Sequence, residues 1–500
     1  MALPLLPLPQ SIDERDGALA LGSGLAVDAD DALRAEADLL ARDLAERIGS
    51  GPAADAPTLT LRLGGDHGEE GYALAVDETG IAIEASAPAG AFWAGRTLLQ
   101  LVEGAGSAAR VPAVEVRDAP RFAYRGVMLD IARHFHPVET IVRLIRQASD
   151  LKKNVLHLHL TDDQGWRIRL DSRPELAEAA SGSSVWGDPG GFLTRDDYAT
   201  IVRAAAERHM TVVPEVDVPG HTHAVGLAYP ELAADPVISD AVREVAEIYG
   251  GGLPVAGEPY HGLGVGFSSL VADAPGVDDF LRDVFGELAE MTPGPYLHLG
   301  GDEALGTPPD VYREFTARAA RIVAETGKTP IAWHEAGAAS TPEGAIGQYW
   351  GLLEPTDGAD EKARAFVARG GRVILSPADA IYLDMKYDAD QAVGLTWANG
   401  PTSVERSYRW DPAGVIEGLD ERDVLGVESA LWTETVRTRD DIDHQVLPRL
   451  ASGAEAGWSA PLGSTPERTW EGFRSRVAGL AGEWERQGAR FFRSPEIPWR

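Results

Sequence analysis

The sequence has no cysteine among its 500 residues. This absence excludes disulfide bonds, thiolate nucleophiles, iron–sulfur clusters and cysteine-ligated zinc, but it does not identify the compartment. Positive charge is also scarce, because 45 Lys and Arg face 78 Asp and Glu and leave a net charge of −33. Such a chain repels phosphate backbones and anionic lipid surfaces, so we expect neither nucleic acid nor a membrane as a partner.

Long apolar stretches are absent as well, since no run reaches the ~18 residues of a membrane-spanning helix. The first ten residues, MALPLLPLPQ, are apolar but short and interrupted by prolines, and no basic residues precede them. They make a poor signal peptide, so a cytoplasmic location and export by a signal outside this sequence are equally compatible with them. The composition, 44% hydrophobic and 25% charged, is typical of a globular protein and leaves the oligomeric state open.

The length favours one large domain with a smaller companion. Residues 1–118 are predicted to form a small α/β domain without a catalytic role, and residues 119–500 the larger domain. The boundary is placed at 118–121, where a proline and a change of pattern mark a linker. The elements predicted for the small domain are helices at 31–48 and 91–102, strands at 58–63 and 111–116, and a hairpin at 72–85.

From residue 125 onward, strand and helix patterns alternate, which predicts a parallel (β/α)₈ barrel. Two stretches, 228–275 and 380–411, are too long for ordinary loops and are expected to build the rim of a site. A terminal helix at 466–487 is expected to pack on the barrel. The eight predicted strands are 126–130, 155–160, 211–216, 296–299, 330–333, 345–349, 372–375 and 424–431.

The stretch 296–303, YLHLGGDE, joins a short strand pattern to two glycines and two carboxylates. Catalytic groups of parallel barrels gather at the carboxyl ends of the strands, so Asp302 and Glu303 stand where a catalytic pair is expected. Adjacent residues on extended backbone point in different directions, which predicts that one carboxylate protonates while the other positions the substrate. Taken alone, the two acids could equally open the next helix, whose dipole favours negative charge.

Polar and aromatic residues follow nearly every predicted strand. A single tryptophan is usually a packing residue, but several at one rim, with carboxylates and an arginine, make a pocket suited to a sugar. The residues that converge in this way are Asp130, Arg133, Asp162, Asp217, His221, Trp333, Trp350, Trp432 and Glu434.

His157 and His159 share one face of a predicted strand and offer a different interpretation. Together with Asp162 and His221 they could ligate zinc, as in barrel hydrolases that use this metal. However, inward positions of barrel strands form packed layers, where a histidine is more often a hydrogen-bonded core residue. Both interpretations stay open at this point.

Seven spaced motifs resemble, in the same order, those of the family 20 glycoside hydrolases of actinobacterial type, the β-N-acetylhexosaminidases. They are RGVMLDIARHF, NVLHLHLTDDQGWRI, VVPEVDVPGH, YLHLGGDEA, QYWG, YLDMKY and ESALWTET. The motifs span the barrel, and the N-terminal unit is similar to the non-catalytic domain that precedes it in that family. The resemblance implies an exo-acting enzyme for terminal β-linked GlcNAc or GalNAc, with no cofactor and no metal.

In this family the oxygen of the substrate's own 2-acetamido group is the nucleophile, and an oxazolinium-like intermediate leads to retention of the β configuration. The resemblance therefore implies that Glu303 is the general acid and base and that Asp302 orients the acetamido group. It implies that Tyr382 donates a hydrogen bond to the acetamide oxygen.

The resemblance also implies a set of positions around the sugar. The segments 332–336 and 398–403 depart from the family pattern and leave the leaving-group side undefined. The implied positions are Arg133 and Glu434 for the 3- and 4-hydroxyls, Asp384 and Trp397 near the 6-hydroxyl, Trp333, Trp350 and Trp432 around the acetamide methyl, and Asp162 with His221 behind Glu303.

Three hypotheses follow. The first is the exo-β-N-acetylhexosaminidase, and the second is a carbohydrate-binding barrel that has lost turnover. The presence of both Asp302 and Glu303 argues against the second, because an inactive relative is expected to lose one of them. The third is a zinc-dependent barrel hydrolase built on the two histidines, which sensitivity to a chelator would support.

Overall fold

The computed structural model describes residues 3–49, 51, 53 and 56–499, so the first two residues of the apolar N-terminal stretch lie outside it. A six-stranded sheet with two helices precedes a closed barrel of eight parallel strands. The predicted fold class, a (β/α)₈ barrel after a small α/β domain, is confirmed. The last strand of the sheet ends at Asp118 and the first barrel strand begins at Tyr124.

The N-terminal sheet is mixed and forms one core with its two helices, Arg34–Ile48 and Pro88–Leu101. The predicted hairpin is present, and its two strands pair in antiparallel fashion. The two edge strands of this sheet, Ser11–Ala20 and Ala26–Ala29, were not predicted from the sequence. In spatial order the strands are Ser11–Ala20, Arg110–Asp118, Tyr72–Val76, Gly80–Ala85, Thr58–Leu63 and Ala26–Ala29.

All eight predicted barrel strands are present, with ends that differ from the prediction by at most two residues. They follow one another around the barrel in chain order, and the last strand closes it by pairing in parallel with the first. The strands are Tyr124–Asp130, Val155–His159, Thr211–Glu215, Tyr296–His298, Thr329–Trp333, Ile346–Tyr349, Val373–Leu375 and Val424–Leu431.

Helices surround the barrel and cover its outer face. Thr194 caps one of them with a reciprocal hydrogen-bonded box to Asp197. The predicted terminal helix spans Trp470–Arg486, and its apolar residues belong to the core of the barrel. The helices after the first strand are Val138–Asp150, Pro174–Ala180, Arg195–Ala206, His223–Ala228, Asp240–Tyr249, Val277–Met291, Pro309–Glu325, Ala359–Ala368, Ala378–Ile381, Val404–Tyr408, Arg439–Val446, Arg449–Trp458 and Trp470–Arg486.

The interior of the barrel changes from apolar to polar along the strands. Inward residues near the strand starts, such as Val155 and Ile331, form an apolar cluster. Strand side chains alternate, so the same inward face presents His157, Glu215 and Trp333 one layer higher. This buried polar layer supports the site at the carboxyl ends of the strands.

Candidate active site

A cavity of about 370 Å³ opens at the carboxyl ends of the barrel strands. Its size is within the range of small-molecule sites. Trp333, Asp384 and Asp162 are buried next to it rather than lining it. Asp130 and Asp217, which the sequence analysis also placed at the pocket, are buried and do not line it, whereas nine residues implied by the family resemblance do, namely Arg133, His221, Asp302, Glu303, Trp350, Tyr382, Trp397, Trp432 and Glu434.

The backbone that carries Asp302 and Glu303 is not extended. The strand ends at His298, and Glu303 has a left-handed φ of 44°. The prediction that the pair lies on extended backbone is therefore wrong. Nor do the two acids open a helix, because the next helix begins only at Pro309. Gly300 is required in the turn, since a Cβ on it would lie 1.9 Å from Asp217 Oδ1.

His221 lies between the candidate catalytic pair and a deeper carboxylate. Its Nε2 is 3.5 Å from Glu303 Oε2 and 3.7 Å from Asp302 Oδ2, so both acids lie near the same ring nitrogen. Its Nδ1 is 3.1 Å from Asp162 Oδ1. Burial disfavours the imidazolium, but the charges of Asp162 and Asp302 outweigh it and raise the pKa of His221 well above its usual value. The ring is therefore cationic at neutral pH.

Asp162 is the centre of a buried ion network. Its Oδ2 is 2.8 Å from Arg133 Nη2 and 2.7 Å from His159 Nε2. Burial opposes its ionisation, but the charges of Arg133 and His221 hold its pKa well below the usual range. On the far side, His159 Nδ1 is 2.5 Å from Glu215 Oε2, and Glu215 Oε1 accepts a 2.9 Å hydrogen bond from Trp333 Nε1. This chain of contacts connects the barrel interior to Glu303.

The two histidines considered as metal ligands both hold carboxylates. His157 lies 2.8 Å from Glu428 and 3.1 Å from Glu215, and His159 contacts Glu215 and Asp162. Although burial lowers the pKa of each ring, the charges of Glu428 and Glu215 raise that of His157 to about 9, and Glu215 and Asp162 raise that of His159 to about 10. A protonated imidazole has no lone pair for a metal, so this arrangement favours the hydrogen-bonded core interpretation.

Three clusters in the described part of the chain bring acid and histidine ligand atoms within 4.8 Å of one another. Each cluster contains His157 or His221, which already contact carboxylates, and the His298 ring in the first cluster stacks on that of His157. The clusters are His157 with Glu215 and His298, Asp162 with Asp163 and His221, and Asp217 with His221 and Asp302.

Asp302 is buried beside a second acid. Burial and the charge of Glu303 raise the pKa of Asp302, whereas His221 lowers it. The pKa of Asp217 is raised well above its usual value by burial and by the charge of Asp302. Asp217 Oδ1 accepts a 2.8 Å hydrogen bond from the backbone of Gly301. This contact fixes the turn that places the two acids.

One side of the site carries acids with free hydrogen-bonding capacity. Neither carboxylate oxygen of Asp384, nor Oε2 of Glu434, has a hydrogen-bond partner among the described residues. Burial and the charge of Glu434 raise the pKa of Asp384 well above its usual value, and burial raises that of Glu434 to about 6. Arg133 lies over the Trp432 ring at 4.9 Å and completes this side. Unsatisfied buried oxygens here suit a ligand that brings hydroxyl groups.

The other side of the site is aromatic. Tyr382 lies 5.8 Å from Trp397 and 6.2 Å from Trp432, measured between ring centroids. Trp350 lies 6.0 Å from Trp397, and Trp333 is fully buried 5.9 Å from Trp432. Burial and the charge of Asp302 raise the pKa of Tyr382 well above its usual value, so its phenol keeps its proton and can donate it to an acceptor.

Two functional neighbours were not identified from the sequence. Glu335 accepts a 3.0 Å hydrogen bond from Trp350 Nε1, and burial together with the charge of Asp302 raises its pKa to about 8. Glu215 is fully buried in the barrel interior. The sequence did contain a sign of each. Glu335 is a carboxylate two residues beyond Trp333, and Glu215 is a charged residue inside the apolar strand VVPEV.

Both long stretches build the rim, as predicted. The segment 228–275 places Val245, Tyr249, Leu263 and Val265 on the cavity, and the segment 380–411 places Tyr382, Leu395 and Trp397 there.

No helix of the described residues is long and apolar enough to span a bilayer.

Comparison with protein families gives two adjoining matches along the chain. Residues 2–119 match domain 2 of glycosyl hydrolase family 20. Residues 122–308 and 305–461 match the catalytic domain of the same family.

Individual relatives agree with these matches. The chain is 40% identical to a β-N-acetylhexosaminidase of Cellulomonas fimi, over 99% of this chain and 97% of that protein. A solved family 20 β-N-acetylglucosaminidase superposes with a TM-score of 0.92 at 51% identity and covers 100% of both chains. The N-acetyl-β-hexosaminidase of Streptomyces plicatus in complex with Thio-NAglucal superposes with a TM-score of 0.89 at 41% identity, over 100% of this chain and 98% of that one.

Proposed function

Because this chain belongs to glycosyl hydrolase family 20 and is a β-N-acetylhexosaminidase, we propose that it releases terminal, non-reducing β-linked GlcNAc or GalNAc. The substrates would be oligosaccharides or glycoconjugates that end in a 2-acetamido sugar. An exo-acting enzyme suits a pocket of about 370 Å³ whose inner side is closed by buried residues such as Trp333.

The observation that carries the proposed mechanism is that Asp302 and Glu303, which are neighbours in the chain, both lie within 4 Å of one histidine nitrogen. A retaining enzyme with a protein nucleophile needs two carboxylates on opposite sides of the scissile bond, about 5–5.5 Å apart. Two acids that are neighbours in the chain and share one histidine fit a general acid beside a positioning group. The nucleophile is then the acetamide oxygen of the substrate.

In the first step Glu303 donates a proton to the glycosidic oxygen while the acetamide oxygen attacks the anomeric carbon. The bond to the leaving group breaks, and an oxazolinium ring forms with inversion. Asp302 accepts a hydrogen bond from the acetamide N–H and stabilises its positive charge, and Tyr382 donates to the acetamide oxygen. In the second step Glu303 removes a proton from water, which attacks the same carbon while the bond from that carbon to the acetamide oxygen breaks, and the second inversion restores the β configuration.

The remaining residues have roles that agree with their surroundings. Arg133 and Glu434 are assigned to the 3- and 4-hydroxyls, and the unpartnered Asp384 with Trp397 to the 6-hydroxyl. Trp350 and Trp432, with Trp333 beneath them, form an apolar slot for the acetamide methyl, which a bare 2-hydroxyl would fill poorly. Asp162 and His221 keep positive charge next to Glu303.

The experiment compares the wild type with Glu303→Gln on aryl β-N-acetylglucosaminide, aryl β-N-acetylgalactosaminide and aryl β-glucoside, with and without a chelator. We expect turnover of the acetamido sugars only, without an effect of the chelator, and a loss of ~10²–10⁴-fold in the variant. Glu314→Gln is the matched control, because Glu314 is exposed on a helix and does not line the cavity.

Equal turnover of the glucoside would contradict the acetamide mechanism and require a protein nucleophile. Binding of sugar without turnover would favour the binding barrel, and loss of activity with the chelator would favour the zinc hydrolase. The ratio of the two acetamido rates measures the preference at the 4-hydroxyl.

A further inference from the structure

We propose that the segment 228–275 is the leaving-group wall of the site and that it selects leaving groups with a flat apolar face. The inference rests on the proposed function, since it concerns the group that Glu303 protonates. It goes further by assigning a chemical preference, and the residues that determine it, to the side of the pocket that the sequence motifs leave undefined.

The wall begins at the candidate acid itself. A Cβ on Gly266 would lie 3.2 Å from the carbonyl oxygen of Glu303 and 2.6 Å from Leu305 Cδ1, so the loop rests directly on this turn. A Cβ on Gly264 would lie 3.3 Å from Val242 Cγ1, so the same loop also contacts the helix Asp240–Tyr249. Helix, loop and catalytic turn therefore contact one another in succession, and on this basis we assign the wall to the group that Glu303 protonates.

The wall presents carbon rather than hydrogen-bonding groups. The side chains that the segment places on the cavity are Val245, Tyr249, Leu263 and Val265, and the phenol of Tyr249 is their only polar group. Beyond the cavity the apolar surface continues with Leu305, which is 76% exposed.

The second rim segment also leaves an aromatic residue exposed at the cavity. Trp397 lines the same cavity and is 51% exposed, although it belongs to the segment 380–411. Large apolar side chains that remain exposed at the mouth of a pocket usually mark a surface that a ligand covers.

The wall is held in place before any ligand arrives. Trp186 Nε1 donates a 2.9 Å hydrogen bond to the carbonyl oxygen of Tyr249, and Gln164 Nε2 donates one of 2.9 Å to that of Gly262. A small core of its own, formed by Val242, Tyr260 and Phe267, supports the helix. A preformed surface costs little ordering entropy on binding.

Such a surface binds its ligand by contact area. An aromatic ring, or the apolar face of a second sugar ring, can cover it, whereas a methyl group gains almost nothing and a charged group would lose hydration without a partner. Both kinds of leaving group, the aromatic ring and the second sugar ring, present a flat apolar face. The experiment distinguishes between them.

The test uses Val245→Ser, Tyr249→Ser and the double variant, both positions being partly exposed. We measure kcat/KM on an aryl β-N-acetylglucosaminide, on N,N′-diacetylchitobiose and on methyl β-N-acetylglucosaminide, and the inhibition by free GlcNAc. For the double variant we expect a loss of about tenfold on substrates that use the wall, with less than about twofold change for the methyl glycoside and for GlcNAc inhibition. Leu63→Ser is the control, because Leu63 is an exposed leucine of the N-terminal sheet.

Loss on the aryl glycoside alone identifies an aromatic leaving group, and loss on both the aryl glycoside and the disaccharide includes a sugar ring. Equal loss on all three substrates, or no loss on any, overturns the inference while the proposed function stands. A wild type that turns over no acetamido sugar overturns the proposed function itself, so the two failures are distinguishable.

Discussion

His221 provides positive charge within 4 Å of both candidate catalytic carboxylates. Its charge depends on Asp162, whose own ionised form is stabilised by Arg133. The pKa of His221, which lines the cavity, therefore depends on Asp162, which does not line it.

The variant Asp162→Asn tests this dependence. Loss of the carboxylate lowers the pKa of His221, so the ring loses its proton at a lower pH than in the wild type. We expect kcat/KM to fall by about tenfold more at pH 8 than at pH 5, with the alkaline limb of the pH profile moved to lower pH. A loss that is the same at every pH would show that Asp162 has only a structural role.

Glu335 gives a prediction about stability. Its pKa rises from 4.5 to about 8 on folding, chiefly through burial, so the native state holds a proton that the unfolded state releases. Ionisation therefore costs stability progressively as the pH rises from about 4.5 to about 8. Glu335→Gln removes this cost and keeps an acceptor for Trp350. We expect its unfolding free energy to exceed that of the wild type by about 2–4 kcal/mol at pH 9 and to equal it near pH 4.5, measured by denaturant titration.

For individual residues, the sequence predicts which side chains lie together at the site but not how their charges affect one another. Asp302, Glu303 and Glu434 follow strands of a barrel, and barrel geometry alone brings them together. The left-handed backbone of Glu303 has no signal in the sequence, because residues other than glycine rarely adopt it. The contact of Glu215 with both His159 and Trp333 depends on the inward register of three strands, which no local pattern fixes.

Among the secondary-structure elements, the helix Arg195–Ala206 offers an independent check of local stability. Thr194 accepts a hydrogen bond from the backbone of Asp197, and the Asp197 carboxylate accepts one from the backbone of Thr194. We expect Thr194→Ala to lower the unfolding free energy by about 1 kcal/mol, because it leaves a backbone donor of the first turn without its partner.

The helix is remote from the cavity, so kcat/KM at 25 °C should not change. Thr200→Ala is a control on the exposed face of the same helix. If Thr194→Ala altered activity but not the melting temperature, the capping interpretation would be contradicted.

Burial along an element explains some of the predictions but not all of them, since the helix Arg449–Trp458 is buried at every position and was not predicted. The strand Val424–Leu431 is buried at every position and was placed correctly. In contrast, Ser11–Ala20 is exposed along most of its length and its composition is that of a loop. The helix Asp240–Tyr249 forms part of the rim and has an amphipathic sequence with Ser239 as its cap, but it was not predicted because the segment 228–275 was interpreted as a long loop.

For the whole molecule, the contact between the sheet and the barrel includes a buried ion pair. Asp118 Oδ2, at the end of the sheet, lies 2.7 Å from Lys152 Nζ, which follows the first helix of the barrel. Trp458 Nε1 donates to the same carboxylate, and the Lys152 ammonium lies 4.3 Å from the centre of the Trp458 ring. Both charges are almost fully buried.

We expect Asp118→Asn to destabilise the protein by about 3–5 kcal/mol, because it leaves the Lys152 charge buried without its counter-charge. The variant that remains folded should keep its kcat, since neither Asp118 nor Lys152 lines the cavity. Denaturant unfolding measures the effect, with the exposed Asp16→Asn as control. A loss below about 1 kcal/mol would mean that Lys152 is neutral in the native state.

Closure of the barrel has a consequence for biosynthesis. The strand Val424–Leu431 pairs with Tyr124–Asp130, and Thr433 donates its backbone hydrogen bond to Asp130 across this seam. Arg133 and Glu434, which share one side of the pocket, are therefore brought together by pairing over some 300 residues of chain. A ribosome-bound chain that has not yet released its eighth strand has no complete sugar pocket, and its exposed strand edges are open to chaperones until that strand arrives.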